Sequence, residues 1–415
     1  MIYTLLESFV FDLSNWMSQL TLTDFFLLYW PLIIIDALRS LLKNIVVLID
    51  WALKKIRNKE YPTHYPPVTL IIPAHNEEKV IENSIQAALE ATYPNKEIIV
   101  VDDGSKDKTF EIAQRYASKG LIKLVHRDHA SGSKSGALNN GILFATGDII
   151  ITVDADTLLE REAITEIVKP FADSSIAAVS GNVRILRGEK GGNNILTRLQ
   201  AYEYAQSIEL GRRFNSLIGM LLIISGAFGA FRLKDVKSLG QYSTDTITED
   251  FEITFKFRKL NKRLVFAEKA ISWTYCPETW RDWQRQRIRW TRGQAETLWR
   301  HRNVFSISKF QPSYIAAVYD MLFMDFFLLF IRIVWFLYHA LYLPKNVHFI
   351  VTLMFILYLV IEINQALTAG LLSPLKNDLK NIVLFPVMVL FYRPYYSLVR
   401  LYAYIQWAMK VKSSW

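Results

Sequence analysis

The sequence predicts an α/β domain with a largely parallel sheet, joined to helices that span a membrane. Short β-branched runs alternate with helix-like stretches between Tyr65 and Val153, as in sheets with crossover helices. Apolar segments long enough to cross a bilayer flank this region on both sides. Hydrophobic residues form 51% of the 415-residue chain, and the mean hydropathy of +0.16 lies between that of a soluble enzyme and a bundle of membrane helices.

The distribution of Lys and Arg along the chain indicates whether the basic residues face a membrane or a nucleic acid. The net charge is +9, but Lys and Arg cluster beside the hydrophobic segments instead of forming one long run. This pattern fits the cytoplasmic flank of a membrane protein against anionic headgroups. We therefore expect a lipid bilayer as a partner and no nucleic acid. Cys276 is the single cysteine, which excludes an intrachain disulfide and a cysteine-based metal site.

The N-terminal segments are expected to reach and cross the membrane. Residues 1–20 lack the basic start and cleavage site of a signal peptide, and we expect an interfacial or extracytoplasmic piece. Residues 21–55 contain the apolar stretch from about Phe25 to about Leu53, which predicts one transmembrane helix with a helical extension.

Flanking charge predicts the orientation. Lys54, Lys55, Arg57 and Lys59 follow the first apolar stretch at once, whereas residues 1–20 contain neither Lys nor Arg. The positive-inside rule then places the N-terminus outside and the following domain in the cytoplasm. We expect a multi-pass protein of the plasma membrane.

Residues 313–415 are expected to form three further membrane segments, at about Tyr314–Tyr342, Val347–Leu372 and Ile382–Ala408. Because charges inside spans are costly, those present here indicate either interhelical ion pairs and snorkelling or a path for a polymer. They are Asp320, Asp325, Arg332, Glu362, Arg393 and Arg400. Alternation would place the C-terminus outside, where Lys410 and Lys412 fit poorly, so its side stays open.

Polar motifs follow the apolar runs of the α/β region, residues 65–275. Ligands of such sheets bind at the carboxyl ends of the strands. Asp154 and Asp156 end one run, and two carboxylates on one face of a strand can hold Mg²⁺ or Mn²⁺ against a diphosphate. Taken alone, the pair is also typical of a turn or a helix cap.

Three more motifs are ambiguous when taken singly. Asp103, within Asp-Asp-Gly-Ser, could bind a base or ribose or simply belong to a strand-to-helix turn. His75 and Glu77 follow the first run, where His75 could also be an ordinary surface residue. Lys134 lies in a small-residue stretch suited to approach a phosphate, although the spacing of a P-loop is absent.

Two later motifs suggest a catalytic base and an anion site. Asp250, in Thr248-Glu249-Asp250, could deprotonate an attacking hydroxyl, while the same triplet could start a helix capped by Thr248. Residues 276–312 read as interfacial helices rich in Trp and Arg. There Gln286 and Arg289 share a helical face and could hold a diphosphate, with Trp290 as a stacking surface for a sugar.

In this order and spacing, the motifs Asp-Asp-Gly, Asp-x-Asp, Thr-Glu-Asp and Gln-x-x-Arg-Trp resemble those of the family-2 processive glycosyltransferases. These include the cellulose, chitin-oligosaccharide, hyaluronan and poly-N-acetylglucosamine synthases. The resemblance covers nearly the whole chain. It implies a GT-A fold with a Rossmann-like mixed sheet, and metal-dependent, inverting transfer from a UDP-sugar to a β-linked polysaccharide. An N-acetylglucosamine polymer is favoured, and coupling to membrane translocation is expected.

The resemblance also implies roles for individual residues. On the donor side it assigns the uridine contacts to His75, Glu77 and Asp103, and an approach to the phosphates or sugar to Lys134. It assigns the nucleotide and metal contacts to Asp154 and Asp156, and diphosphate binding to Gln286 and Arg289. On the acceptor side it assigns the base to Asp250 and the sugar contacts to Asn182, Ser225, Gly226, Glu249 and Trp290.

The sequence departs from the family in two places. His75 stands where many members have Tyr, and Arg187–Gly191 has no family counterpart that we can offer.

The sequence leaves three alternatives for function. The favoured one is a polysaccharide synthase, with an oligosaccharide or polysaccharide acceptor and an accessory membrane subunit as a further possible partner. A non-processive membrane transferase that adds one sugar to a lipid shares the acidic motifs but usually lacks Gln-x-x-Arg-Trp. A non-catalytic sugar-binding membrane subunit is disfavoured, because every candidate catalytic acid is present.

Overall fold

The computed structural model describes residues 2–57, 64–187, 191–305, 311–344 and 346–411. Lys59, residues 188–190 and Lys412, on which sequence expectations fall, lie outside these ranges. The strands are β1 Val68–Ala74, β2 Lys96–Asp102, β3 Lys123–His126, β4 Ile149–Val153, β5 Thr157–Leu159, β6 Ile176–Ile185, β7 Phe228–Arg232 and β8 Arg263–Thr274.

The helices lie before, between and after these strands. They are α1 Ile2–Ser18, α2 Leu22–Tyr29, α3 Ile35–Arg57, α4 Ile81–Glu90, α5 Thr109–Ala117, α6 Lys134–Phe144, α7 Ala163–Val168, α8 Ile195–Ala205, α9 Arg213–Leu217, α10 Leu233–Ser238, α11 Glu249–Lys259, α12 Trp280–Arg300, α13 Pro312–Leu322, α14 Leu328–Tyr342, α15 Val347–Leu372, α16 Phe385–Val387 and α17 Arg393–Ala408. Segments of π-helix are Trp30–Ile34, Gln206–Arg212, Phe323–Phe327 and Met388–Tyr392, and 3₁₀ segments include Lys169–Ala172, Arg302–Phe305 and Lys376–Leu384.

The eight strands form one mixed sheet in the order β3-β2-β1-β4-β7-β6-β8-β5. β1 pairs in parallel with β2 and β4, and β2 with β3, as the alternation of strands and helices predicts. β7 is antiparallel to both β4 and β6, while β8 runs parallel to β6 and antiparallel to β5. The mixed sheet implied by the family resemblance is therefore present, although the periodicity of the sequence indicated only its parallel half.

Helices cover the parallel half of the sheet on both faces. All seven residues of β1 and all five of β4 are buried, which explains their nearly unbroken apolar runs. Alternate side chains enter different cores: Leu70 packs in the cluster that contains Ile85 of α4, and Ile71 in the cluster that contains Ile142 of α6.

Gly147 fixes the approach of β4 to β1. Its backbone N–H donates to Thr69 Oγ1 over 2.9 Å, and the Glu97 carboxylate accepts from the backbone N–H of Thr146 over 2.6 Å. A Cβ atom at Gly147 would lie 2.7 Å from the backbone nitrogen of Thr69. Because backbone atoms cannot move aside locally, this position has room for glycine alone.

Within the described part of the chain, three helices are long and apolar enough to cross a membrane, judged by length and composition. They run over Pro312–Tyr342, Val347–Leu372 and Asp378–Ala408, and they contain the three predicted C-terminal segments. The predicted first span, Phe25–Leu53, lies on α2, the π-turn after it and α3. Its passage through the membrane stays a prediction, as does the orientation of the chain.

The six charges foreseen inside the C-terminal segments are all paired with an opposite charge. This arrangement supports interhelical ion pairs, since paired charges are satisfied without an aqueous path. The pairs are Arg39–Asp320, Asp36–Arg332, Asp325–Arg400 and Glu362–Arg393.

We predict that Gly147→Ala destabilises the protein by about 1–3 kcal/mol, because the added methyl collides with the backbone of β1. Thermal unfolding of the purified protein in detergent, followed by circular dichroism, measures the change in Tm. Gly211→Ala is the matched control, since its Cβ would meet no heavy atom within 4 Å. Equal Tm values for the two variants would contradict the proposed collision.

Candidate functional site

Lys134 joins the Asp-x-Asp and Thr-Glu-Asp motifs. Its ammonium pairs with the carboxylate of Asp154, at the end of β4, and lies 3.0 Å from Glu249 Oε1, at the start of α11. Lys134 is the first residue of α6, and the hydroxyl of Ser133 caps that helix by accepting from the Gly136 N–H. The start of the helix thus holds Lys134 in place.

The carboxylate of Asp250 is held by two backbone donors. Gly226 N–H donates to Oδ2 over 3.3 Å and Phe251 N–H to Oδ1 over 2.8 Å. Burial, followed by the negative charge of Glu249, raises the pKa of Asp250 to about 6. A carboxylate with this pKa is mostly ionised at neutral pH and is more basic than an ordinary aspartate, as a general base requires.

Thr248 occupies the N-cap position of α11 without making the hydrogen bond of a cap. The side chain accepts no bond from the helix, and its Oγ1 is buried without a partner among the described residues. Glu249 and Asp250 do lie in the first turn, as the sequence indicated. The capping interpretation is therefore correct for position and wrong for the side-chain bond, because Thr248 packs instead against Gly293.

Asp156 and Glu77 add two further acids near Asp154. The Thr157 and Thr274 hydroxyls each donate to Asp156 Oδ1 over 3.3 Å, so Oδ2 is left for a ligand. Burial and then the Asp154 charge raise the pKa of Asp156 to about 6. Burial and then the charges of Asp156 and Asp154 raise the pKa of Glu77 to about 7. The mutual repulsion shows that this edge of the sheet carries excess negative charge.

That excess charge suits a divalent cation. No group of three or more His, Cys, Asp or Glu side chains is arranged to hold a metal ion within the described ranges. Mg²⁺, however, is usually held by one or two carboxylates together with substrate phosphates and water. Asp154 and Asp156 supply that number of protein ligands.

The residues predicted to contact the nucleotide lie at the ends of β1 and β2. Asp103 is 5% exposed, and its carboxylate accepts from the Ser131 backbone N–H over 2.9 Å and from the Ser131 hydroxyl over 2.7 Å. His75 Nδ1 donates to the backbone carbonyl of Asp103 over 2.8 Å. These bonds fix the two strand ends against the loop before α6.

Sequence reasoning missed a second histidine–aspartate contact beside these residues. Asp102 is fully buried, and its Oδ2 lies 2.7 Å from His126 Nδ1. The Asp-Asp doublet itself was the available signal, since adjacent strand residues point to opposite faces and need separate partners.

The Gln-x-x-Arg-Trp helix, α12, reaches the site through Arg289. Arg289 is exposed, and its charge helps to lower the pKa of Glu249. Burial alone would raise that pKa, but the Lys134 ammonium and its hydrogen bond outweigh burial. Gln286 Oε1 is buried without a protein partner in the described chain and is available to a ligand.

Gly293 allows α12 to approach the start of α11. A Cβ atom at Gly293 would lie 2.4 Å from the Oγ1 and Cγ2 atoms of Thr248. The helix that carries Arg289 therefore packs directly beside the turn that carries Asp250.

Arg287 is the residue at this site that the sequence did not single out. It is 1% exposed, pairs with Glu203 over 2.6 Å, and lies 4.3 Å from the ring centre of Trp290. It also lies 5.4 Å from the ring centre of Trp283, and these contacts fix the orientation of Trp290. Positions 283, 287 and 290 share one helical face, which was the available signal.

The predicted acceptor residues differ in their surroundings. Gly226 adjoins the Lys134 group, because a Cβ atom there would lie 3.1 Å from Lys134 Nζ and 3.3 Å from Asp250 Cβ. The neighbouring Ser225 N–H lies 3.5 Å from Ser180 Oγ. Asn182, by contrast, is fully buried and donates to Glu209 Oε1 over 2.8 Å. The structure thus places Asn182 in a buried polar cluster with Glu209.

The mixed sheet, with acidic residues at the ends of its central strands, defines a GT-A-like glycosyltransferase fold. The solved structure of a mannosyltransferase from Pyrobaculum calidifontis, in complex with GDP-Man and Mn²⁺, has a TM-score of 0.59 to this chain. The comparison covers 91% of this chain and 99% of that one at 20% sequence identity, so the likeness concerns the fold. The predicted fold class is confirmed.

Sequence comparison gives the relatives of the α/β region. Residues 69–240 match the model of glycosyl transferase family 2. A poly-beta-1,6-N-acetyl-D-glucosamine synthase from Staphylococcus epidermidis is 32% identical over 234 residues, 56% of each chain. One from Staphylococcus aureus (strain COL) is 33% identical over 243 residues, 58% of this chain and 57% of its own. The chain thus matches a little over half the length of these relatives.

We predict that Arg287→Gln destabilises the protein by about 3–5 kcal/mol, because it leaves the Glu203 carboxylate and the surrounding rings without their buried cation. Arg285→Gln is the control, since Arg285 is exposed on the same helix and, among the described residues, forms an ion pair with Asp282 alone. That change should cost about 0.5 kcal/mol or less. Chemical denaturation of both variants measures the difference. A loss below 1 kcal/mol for Arg287→Gln would show that the buried pair contributes little.

Proposed function

We propose that this chain transfers N-acetylglucosamine from a UDP-sugar to a growing β-linked polysaccharide, with inversion at the anomeric carbon. The observation that carries the proposal is the cluster of Lys134, Asp154, Glu249 and Asp250, which places a cation and a basic carboxylate in one cleft. The choice of sugar is supported by the relatives, which are poly-beta-1,6-N-acetyl-D-glucosamine synthases. Donor identity, processivity and translocation are parts of this proposal.

Donor binding is assigned to the positive side of the cleft. Arg289 donates to the diphosphate, the free Gln286 Oε1 accepts from a donor hydroxyl, and Lys134 approaches the phosphates beside Asp154. His75, Glu77 and Asp103 are assigned to the uridine. A divalent cation held by Asp154 and Asp156 would neutralise the charge that develops on the departing diphosphate.

Acceptor activation is assigned to Asp250. Its carboxylate takes the proton of the acceptor hydroxyl while that oxygen bonds to the anomeric carbon and the bond to UDP breaks, with the electron pair leaving on UDP. Attack opposite the leaving group inverts the anomeric configuration. Trp290, held by Arg287, gives the acceptor sugar a rigid aromatic surface, and Glu249 and Ser225-Gly226 border the same space.

The membrane arrangement completes the proposal. We assign residues 65–275 to a cytoplasmic catalytic domain, 276–312 to interfacial helices, and 313–415 with 21–55 to membrane segments. Three apolar helices support association with the plasma membrane. Polymer passage between these helices, and an accessory membrane subunit, are further parts of the proposal.

The direct test incubates the purified protein with a panel of UDP-sugars and Mg²⁺ or Mn²⁺, and measures UDP release and product mass. A ladder of N-acetylglucosamine oligomers is expected. A product of a single sugar on a lipid would instead indicate a non-processive transferase.

We predict that Asp250→Asn lowers kcat by about 10²–10⁴-fold, because an amide cannot accept the acceptor proton. UDP-sugar binding should persist, since Asp250 is assigned to the acceptor side. Asp245→Asn is the control, because that side chain is 74% exposed in the preceding loop. The base is active when deprotonated and its pKa is about 6, so kcat of the native protein should fall as pH drops below about 6. Full activity of Asp250→Asn would exclude this role.

We predict that EDTA abolishes turnover and that added Mg²⁺ or Mn²⁺ restores it. Asp156→Asn removes one ligand charge, so it should raise the metal concentration for half-maximal activity about tenfold or more. Asp128→Asn, at a side chain that is 93% exposed, should leave that concentration unchanged. Unimpaired transfer in the metal-free protein would argue against the role of Asp154 and Asp156.

A further inference from the structure

Arg212 lies at the end of a π-helical segment, Gln206–Arg212, that separates α8 from α9. An inserted π-turn changes which way the following side chains point, and such turns occur often at functional sites. Here the π-helical segment ends between two neighbouring arginines, Arg212 and Arg213. Arg213 pairs with Glu209 in the buried polar cluster, whereas Arg212 Nη1 donates to the hydroxyl of Ser180 over 3.2 Å.

A short chain of polar contacts connects Arg212 with the proposed base. Ser180 Oγ, which accepts from Arg212, lies 3.5 Å from the Ser225 N–H. The next residue, Gly226, donates its N–H to Asp250 Oδ2 over 3.3 Å. Burial lowers the pKa of Arg212, and the nearby Tyr204 phenol and Asp250 carboxylate oppose that change. The guanidinium therefore lies within electrostatic reach of Asp250, on the side of the Ser225-Gly226 turn.

Arg212 is half-buried, and its partners differ from those of three buried arginines. Arg184, Arg213 and Arg287 each pair with a carboxylate. For Arg212, the bond to Ser180 is the only one the structure gives within the described residues, and no carboxylate there lies within 4 Å. A guanidinium has five N–H donors, so most of them are left for a ligand.

We propose that Arg212 binds the acceptor, donating from its guanidinium to oxygen atoms of the terminal acceptor sugar beside Asp250. The inference rests on the proposed function and extends its acceptor site. The acceptor is a better ligand than the donor because Lys134 and Arg289 already provide cations for the diphosphate, and Arg212 joins the cleft through the Ser225-Gly226 turn. The hydroxyl oxygens of a sugar and any N-acetyl carbonyl can accept from several N–H groups of the planar guanidinium at once.

The test separates the acceptor from the donor half of the reaction. Arg212→Gln should raise the KM for a β-linked N-acetylglucosamine tetrasaccharide acceptor about 10- to 100-fold, the usual effect of losing hydrogen bonds to a charged group. The KM for UDP-N-acetylglucosamine, and the slow release of UDP to water without acceptor, should stay within about twofold of native values. Arg212→Lys keeps the charge but not the planar fork, so an intermediate acceptor KM is expected.

Controls distinguish binding from folding. Arg263→Gln makes the same change at an exposed residue at the start of β8 and should alter neither KM. If Arg212→Gln unfolds, Arg212→Lys and Ser180→Ala carry the measurement, since the latter removes the hydroxyl that aligns the guanidinium.

Two failures can be told apart. A native protein that transfers sugar normally, with an unchanged acceptor KM in the Arg212 variants, overturns the role of Arg212 alone. An equal rise in donor KM overturns it as well. If the native protein releases no UDP with any UDP-sugar tested, the proposed function and this inference are both overturned.

Discussion

The rest of the site depends on the ion pairs that the Lys134 ammonium forms with Asp154 and Glu249. The cleft gathers the carboxylates of Glu77, Asp154, Asp156 and Glu249. Burial, and then repulsion that includes the charge of Asp154, raises the pKa values of Asp156 and Glu77. Two unit charges about 4 Å apart near a protein surface interact by about 4 kcal/mol. A single cation between Asp154 and Glu249 offsets part of this repulsion. The same cation also connects the end of β4 with the start of α11. One side chain therefore both reduces the repulsion between the carboxylates and fixes the relative positions of the two elements.

Two buried cationic clusters connect the α/β domain with the helices that follow it. In one, Arg184 pairs with Glu209 and also, over 2.9 Å, with Asp378 at the start of the last apolar helix. In the other, Arg287 pairs with Glu203, whose carboxylate also accepts from the hydroxyl of Tyr392 over 2.6 Å. Because an unpaired buried charge costs several kcal/mol, these clusters resist separation of the two parts.

The parallel half of the sheet and the positions of its acidic motifs could be predicted from the sequence, since both follow from local periodicity. It also indicated the three C-terminal apolar helices, whose limits depend on composition alone. It did not indicate the antiparallel strand β7, because strand direction depends on pairing between residues distant in the chain. The same limit applies to Asn182, whose burial beside Glu209 arises from the packing of β6 on the π-helical segment.

Residues that act through tertiary contacts were the hardest to foresee. Arg287 lies inside the Gln-x-x-Arg-Trp motif, yet its neighbours Arg285 and Arg289 are exposed, and composition cannot separate the three. Arg212 lies at the end of a π-helical segment, and its bond to Ser180 joins residues distant in the chain. Such local departures from the regular helix leave no periodic signature in the sequence.

The packing of α12 against the last apolar helix has a practical consequence. Trp283 is fully buried, donates to the Tyr392 hydroxyl over 2.8 Å and stacks on Tyr395 at a centroid distance of 5.5 Å. A soluble fragment cut after α12 would keep every assigned catalytic acid but expose this aromatic face to water. Such a fragment would tend to self-associate. Arg287 would also lose its contact with the Tyr396 ring, so it would hold Trp290 less firmly. Biochemistry on this protein therefore needs the membrane helices even where only soluble chemistry is being measured.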